Sequence, residues 1–133
     1  PESVRAAIQT GTKRIGHGVR STEDESVVEQ IRDRGITLEM CPTSNRQTHA
    51  IPDMKQYPLI PFLESGIRVT VNTDDMGIER TCLSKEFEYL RREFGLTKAQ
   101  EKKLLLNAAD AAFASEETKE MLREKILAVY AAD

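Results

Sequence analysis

The chain holds only two histidines, His17 and His49, and neither sits in a His-x-His pair or an HExxH helix motif. Its own imidazoles therefore cannot complete a tetrahedral or five-coordinate zinc site. Cysteine is equally scarce. Cys41 and Cys82 form no CxxC pair, so no disulfide framework is implied and free thiols in a reducing cytoplasm are expected. No GxxxxGK stretch is present, which removes the phosphate cradle that magnesium-assisted phosphoryl transfer would need. Positive charge is not in excess: the net charge is −3 and the pI about 5.5, against the basic stripe of a nucleic-acid surface. There is no long uncharged apolar run and no signal-peptide pattern, so neither a membrane span nor secretion is expected.

What is present fits one soluble globular domain over residues 1–133, with 39% hydrophobic and 31% charged residues. Pro1 suits the first position of a helix, and the expectation is a chain that starts partway through a larger design. One pattern occurs three times: a helix-like stretch, a glycine, a short apolar run, then a polar signature. The segments are Gly11-Thr-Lys-Arg-Ile-Gly-His17-Gly, Gly35-Ile-Thr-Leu-Glu-Met-Cys-Pro-Thr-Ser-Asn45 and Gly66-Ile-Arg-Val-Thr-Val-Asn-Thr-Asp74-Asp75. Glycine just past a helix closes it with a left-handed cap. The apolar run after it reads as a strand of a parallel sheet buried on both faces. Each strand would end in chemically capable residues, on the rim where parallel α/β folds assemble their sites.

Strands are predicted at residues 14–16, 36–40 and 68–72, and helices at 2–10, 24–34, 58–65, 83–94, 98–113 and 116–131. Asp24 or Thr22, Thr97 and Ser115 are the expected helix caps. Residues 42–57 read as an extended, proline-containing loop. The last helix, with Met121, Leu122, Ile126 and Val129 near helical spacing, is expected to pack on the outside of the sheet. Three strands cannot bury both sheet edges, and the edge beside residues 14–16 should need a partner strand.

Histidine between glycines at a strand end, as at His17, suits a general base, a metal ligand or an oriented proton carrier. It also suits an imidazole donating to a backbone carbonyl. Asp74 and Asp75 are adjacent, so their side chains should point to opposite sides and do different jobs, one toward a metal and one toward a ligand. Capping of the next helix is the alternative. Ser44 and Asn45 fit either a turn or groups that orient a neighbouring carboxylate. Glu39 needs a partner inside a strand, with Arg14, Arg68 or a group outside the chain as candidates. Cys41 reads as a small buried residue, and His49 as a loop or rim residue.

Taken together, Arg14-Ile-Gly-His17-Gly, Glu39-Met-Cys-Pro-Thr-Ser-Asn45 and Val71-Asn-Thr-Asp74-Asp75 resemble the carboxyl-terminal portion of the adenosine deaminases, a family of metal-dependent amidohydrolase barrels. Glu86-Phe-Glu-Tyr89 and Leu106-Asn-Ala-Ala-Asp-Ala-Ala-Phe113 fit the same pattern. The resemblance implies an α/β fold, the last three parallel strands of a (β/α)8 TIM-type barrel followed by amphipathic helices. It implies hydrolytic deamination of adenosine to inosine and ammonia, with one Zn2+ activating water. Asp74 matches the family's zinc ligand, His17 the histidine that orients the attacking oxygen, and Asp75 the aspartate that contacts the purine near N7. The family's His-x-His and its further histidine with a neighbouring glutamate are absent here, so a missing amino-terminal half or another chain would have to supply them. Alternatives are a deaminase of adenine or of a modified adenosine, or a non-catalytic nucleoside-binding barrel. The implied partner is a small purine nucleoside, not nucleic acid or membrane, and the implied compartment is the cytoplasm.

Overall fold

The computed structural model describes residues 1–131 of the chain. Helix α1 (Glu2–Gln9) leads into β1 (Arg14–Gly16), and α2 (Glu25–Asp33) into β2 (Thr37–Met40). A longer stretch holds α3 (Pro42–Gln47), a 3-10 turn at Met54–Gln56 and α4 (Leu59–Glu64), then β3 (Arg68–Val71). Four helices follow: α5 (Met76–Glu79), α6 (Leu83–Phe94), α7 (Lys98–Ala111) and α8 (Glu116–Ala131). All three predicted strands form, trimmed by a residue where 36 and 72 were included. The predicted 42–57 loop is the main difference, since a two-turn helix and a 3-10 turn occupy much of it.

The strands pair in parallel in the order β1-β2-β3, with Ile15 beside Leu38 and Leu38 beside Val69. The glycines act as foreseen at the two inner junctions. After α2, Gly35 takes φ 62° and the Ile36 amide donates to Ile31; after α4, Gly66 takes φ 88° and the Ile67 amide donates to Phe62. Both are six-residue closures of a helix end, and each delivers the chain directly into a strand. Asp24 caps α2 by accepting from the Ser26 amide, and Thr97 forms a capping box with Gln100.

Side chains alternate across a strand, and the sheet divides accordingly. Ile15, Leu38, Met40, Val69 and Val71 face the helices, where Ile8, Val27, Ile31, Leu59, Phe62, Leu63, Leu90 and Leu104 complete one apolar core. The other face carries Arg14, Gly16, Thr37, Glu39, Arg68 and Thr70. Burial on both faces therefore holds best for the central strand, while Gly16 and Arg68 on the flanking strands are exposed. Arg14 Nε lies 3.2 Å from Glu39 Oε1, close enough for an ion pair but not aligned for a hydrogen bond. This gives Glu39 one of its expected partners. Helix α8 corrects its expected position: it lies on α7 rather than against the sheet, tied by Arg123 to Asp110 and by Tyr130 to Glu101, and none of its described residues is buried. No helix among the described residues is long and apolar enough to cross a membrane.

One glycine does more than end a helix. Gly18 has φ 71°, and a Cβ placed on it would lie 2.7 Å from Cδ2 of the fully buried Leu38. The chain must turn over the central strand here without a side chain. Gly18→Ala should destabilise the protein by about 2 kcal/mol through backbone strain and overpacking. Urea unfolding would show a lower midpoint at unchanged slope.

Candidate active site

The ladder does not stop where the strands do. The His17 amide donates to Glu39 O at 2.8 Å and the Asn72 amide to Met40 O at 2.9 Å, holding the chain just past β1 and β3 against β2. The backbone then takes a left-handed step at both ends, with φ 59° at His17 and φ 59° at Asp74. Non-glycine residues adopt this region at a cost and concentrate at functional sites. The two steps aim an imidazole and a carboxylate at each other across the end of the central strand. His17 Nε2 lies 3.4 Å from Asp74 Oδ2, with each side chain about two-fifths exposed. The pairing expected from the sequence is therefore present, between groups 57 positions apart in order but on one rim.

Helix α3 fills the gap between them. The Ser44 hydroxyl donates to Asp74 Oδ2 at 2.8 Å, and Asn45 Nδ2 lies 3.0 Å from His17 Nδ1. Both side chains belong to buried residues. Ser44 has the carboxylate-orienting place anticipated for this pair, while Asn45 serves the imidazole instead. Among the described residues Asp74 Oδ1 takes no hydrogen bond, which leaves one carboxylate oxygen for a cation. Cys41 Sγ completes a group in which ligand atoms of His17, Cys41 and Asp74 all lie within 4.8 Å of one another. Nitrogen, sulfur and carboxylate oxygen are the donors zinc accepts, so the residues present fit a zinc ion. Cys41 is buried, and its thiol is pushed up to about 12, first by desolvation and then by Asp74, Glu86 and Glu39. It stays a thiol unless a metal displaces its proton.

Asp75 behaves differently. It lines neither cleft beside His17; its Oδ1 accepts from the Ile78 amide at 2.8 Å and caps α5. Its other oxygen takes no hydrogen bond among the described residues. His49 lies exposed just past α3 with φ 52°, a rim position as expected. A cleft of about 510 Å³ opens over His17 and Asp74, walled by Glu39, Cys41, Val71 and Asn72, with Met76 and Leu83 at its mouth. That size suits a small organic ligand.

Two residues support the site in roles that the sequence did not signal, although Glu86 lies in a segment of the resemblance. Cys41, the N-cap of α3, provides no side-chain cap. Glu86 of α6, fully buried, does so instead by accepting from the Thr43 amide at 3.0 Å and from the Thr81 hydroxyl. A carboxylate at a helix N-terminus satisfies orphan amides and complements the helix dipole. Tyr57 is also buried, and its hydroxyl bonds Asn45 Oδ1 at 2.9 Å. Only tertiary packing brings these groups to α3; an acid inside an amphipathic helix and a tyrosine closing a loop do not announce it.

The family model for adenosine deaminase matches residues 1–129. An adenosine deaminase of Haemophilus ducreyi is 44% identical over 122 residues, covering 92% of this chain and 36% of that protein. Among solved structures, an adenine deaminase of Arthrobacter aurescens superposes with TM-score 0.87 at 28% identity, over 91% of this chain and 37% of its own. The apo N6-methyl-AMP deaminase of Arabidopsis thaliana gives TM-score 0.88 at 27% identity, over 100% of this chain and 39% of its own. The chain thus spans little more than a third of each protein it matches.

Removing the Glu86 carboxylate would orphan the Thr43 amide and the Thr81 hydroxyl. Glu86→Ala should therefore cost about 1–3 kcal/mol, read as a lower denaturation midpoint. Loss of near-ultraviolet tyrosine signal should accompany it, because α3 holds the Tyr57 partner.

Proposed function

The chain belongs to the adenosine deaminase family, and on that premise we propose that the protein carrying it hydrolyses adenosine to inosine and ammonia, with zinc, in the cytoplasm. Its three parallel strands and following helices are part of a (β/α)8 barrel, and the site occupies the carboxyl-terminal rim where such barrels act. The observation that carries the proposal is the approach of His17 Nε2 to Asp74 Oδ2 at 3.4 Å beside a ligand-sized cleft. Of the donors grouped here, Asp74 would hold zinc, with His17 beside it for the attacking oxygen and Cys41 left as a buried thiol; further ligands would come from strands outside this chain, on the same polypeptide or another. Zinc, when bound, supplies Lewis-acid activation of water for attack at a purine carbon.

The chain's own groups divide the remaining work. Ser44 fixes the Asp74 carboxylate and leaves Oδ1 for the cation. His17, held by the β1–β2 ladder, presents Nε2 where the attacking oxygen must lie and steadies charge that develops there. Gly16, beside His17 and lining the cleft with open space at its Cβ position, keeps bulk away from an approaching substrate. Asp75, half committed to α5, offers its second oxygen to the purine ring near N7. Met76 and Leu83 give the base an apolar border.

The similarity to an adenine deaminase and to an N6-methyl-AMP deaminase supports a second reading, in which the same chemistry acts on adenine or an N6-modified adenylate. Comparing kcat/KM for adenosine, adenine and N6-methyl-AMP separates the readings, and adenosine is expected to lead. No deamination of any of the three would leave a non-catalytic nucleoside binder.

In the complete protein Asp74→Ala should lose most of its zinc, measured by elemental analysis; full occupancy would overturn the ligand assignment. His17→Ala should keep the metal and lose about 10²–10⁴-fold in kcat, followed by the ultraviolet change as adenosine disappears. Wild-type turnover in that variant would remove His17 from the reaction centre.

A further inference from the structure

Behind His17 runs a short buried relay that the deaminase proposal does not use. Tyr57 is 3% exposed and Asn45 2%. The phenol Oη and Asn45 Oδ1 lie 2.9 Å apart, and Asn45 Nδ2 stands 3.0 Å from His17 Nδ1. Each end of the relay is anchored by packing. Asn45 sits on α3, its amide donating to Cys41 O at 2.8 Å, and the Tyr57 ring stacks at a tilt on Phe94 with centroids 5.8 Å apart.

We propose that Asn45, set by the Tyr57 hydroxyl, is a positioning residue that locks His17 in the tautomer bearing its hydrogen on Nε2. A buried hydroxyl hydrogen must find an acceptor. Burial pushes the Tyr57 phenol well above its ordinary range, so that hydrogen is present at neutral pH. The acceptor in reach is Asn45 Oδ1. With the carbonyl end committed to Tyr57, the amide end faces His17 and donates. Nδ1 of a neutral imidazole that accepts carries no hydrogen, so the hydrogen resides on Nε2. Nε2 is the atom 3.4 Å from Asp74 Oδ2, at the reaction centre. His17 is thus a hydrogen-bond donor toward the attacking oxygen rather than a lone-pair base. The ring is thus held at both nitrogens, by Asn45 at Nδ1 and beside Asp74 at Nε2.

The tautomer assignment stands on the hydrogen-bond geometry, with burial keeping the Tyr57 phenol protonated, while its consequence for rate rests on the proposed deaminase reaction. The test uses the complete protein with ¹⁵N-labelled histidine, both metal-free and zinc-loaded. The His17 resonances are assigned by their disappearance in His17→Ala. The wild type is expected to show protonated Nε2 and bare Nδ1. Asn45→Asp keeps the size of the side chain but replaces the donor by an acceptor. It should move the hydrogen to Nδ1 and lower kcat by about 10²-fold or more, with KM little changed. Tyr57→Phe removes only the hydroxyl, so both ring nitrogens should become partly protonated and kcat should fall by a smaller factor. If Asn45→Asp does not fold, Tyr57→Phe decides alone. A wild-type spectrum with hydrogen on Nδ1, or unchanged spectra in both variants, overturns the proposal. The expected spectra in a protein that deaminates nothing would uphold the relay and remove the deaminase reading instead.

Discussion

The approach of His17 to Asp74 depends on the central strand more than on either residue. β2 pairs on both sides, and its carbonyls at Glu39 and Met40 accept amides from His17 and Asn72 just beyond the flanking strands. These two bonds fix where β1 and β3 end. Each chain then takes a left-handed step at the same height on the rim. Strain of roughly 1–3 kcal/mol per such residue is tolerable only where the surroundings impose the geometry. Here the surroundings are an apolar core on one side of the sheet and α3 across its end.

Helix α3 turns that backbone geometry into a site. It follows β2 without an intervening loop, because Pro42 suits the first helical turn and has no amide to satisfy. The remaining amide demand is met by Glu86, a buried acid 43 positions away from Thr43. Ser44 and Asn45, adjacent on the helix, reach the carboxylate and the imidazole separately. The same short element thus orients two groups from two different strands. Disturbing α6, which carries Glu86, reaches the site through this helix.

Much of this was legible in the amino-acid order. The glycine-apolar-polar pattern located all three strands and their chemically rich ends, because a left-handed helix closure and an alternating strand are local devices. His17 and Asp74 were legible for the same reason, and Asp24 and Thr97 cap helices as their positions suggest. Helix α3 was not. Pro-Thr-Ser-Asn is a run of poor helix formers, and the helix exists because a distant carboxylate caps it. The capping role of Glu86 and the Tyr57 bond to Asn45 were illegible for a related reason: burial of a polar group is decided by what packs over it. Helix α8 has the weak apolar stripe of a second layer, which position in the sequence does not distinguish from a helix on the sheet. Asp75 takes the capping alternative that adjacent acids before a helix also allow, one oxygen accepting from the Ile78 amide.

One cation site should form where the β1 and β3 ends meet. Anomalous diffraction at the zinc edge from crystals of the complete protein tests it most directly. A single peak is expected within about 2.0–2.2 Å of an Asp74 carboxylate oxygen, with the His17 imidazole beside it. A zinc peak elsewhere, with Asp74 and His17 turned apart, would contradict it.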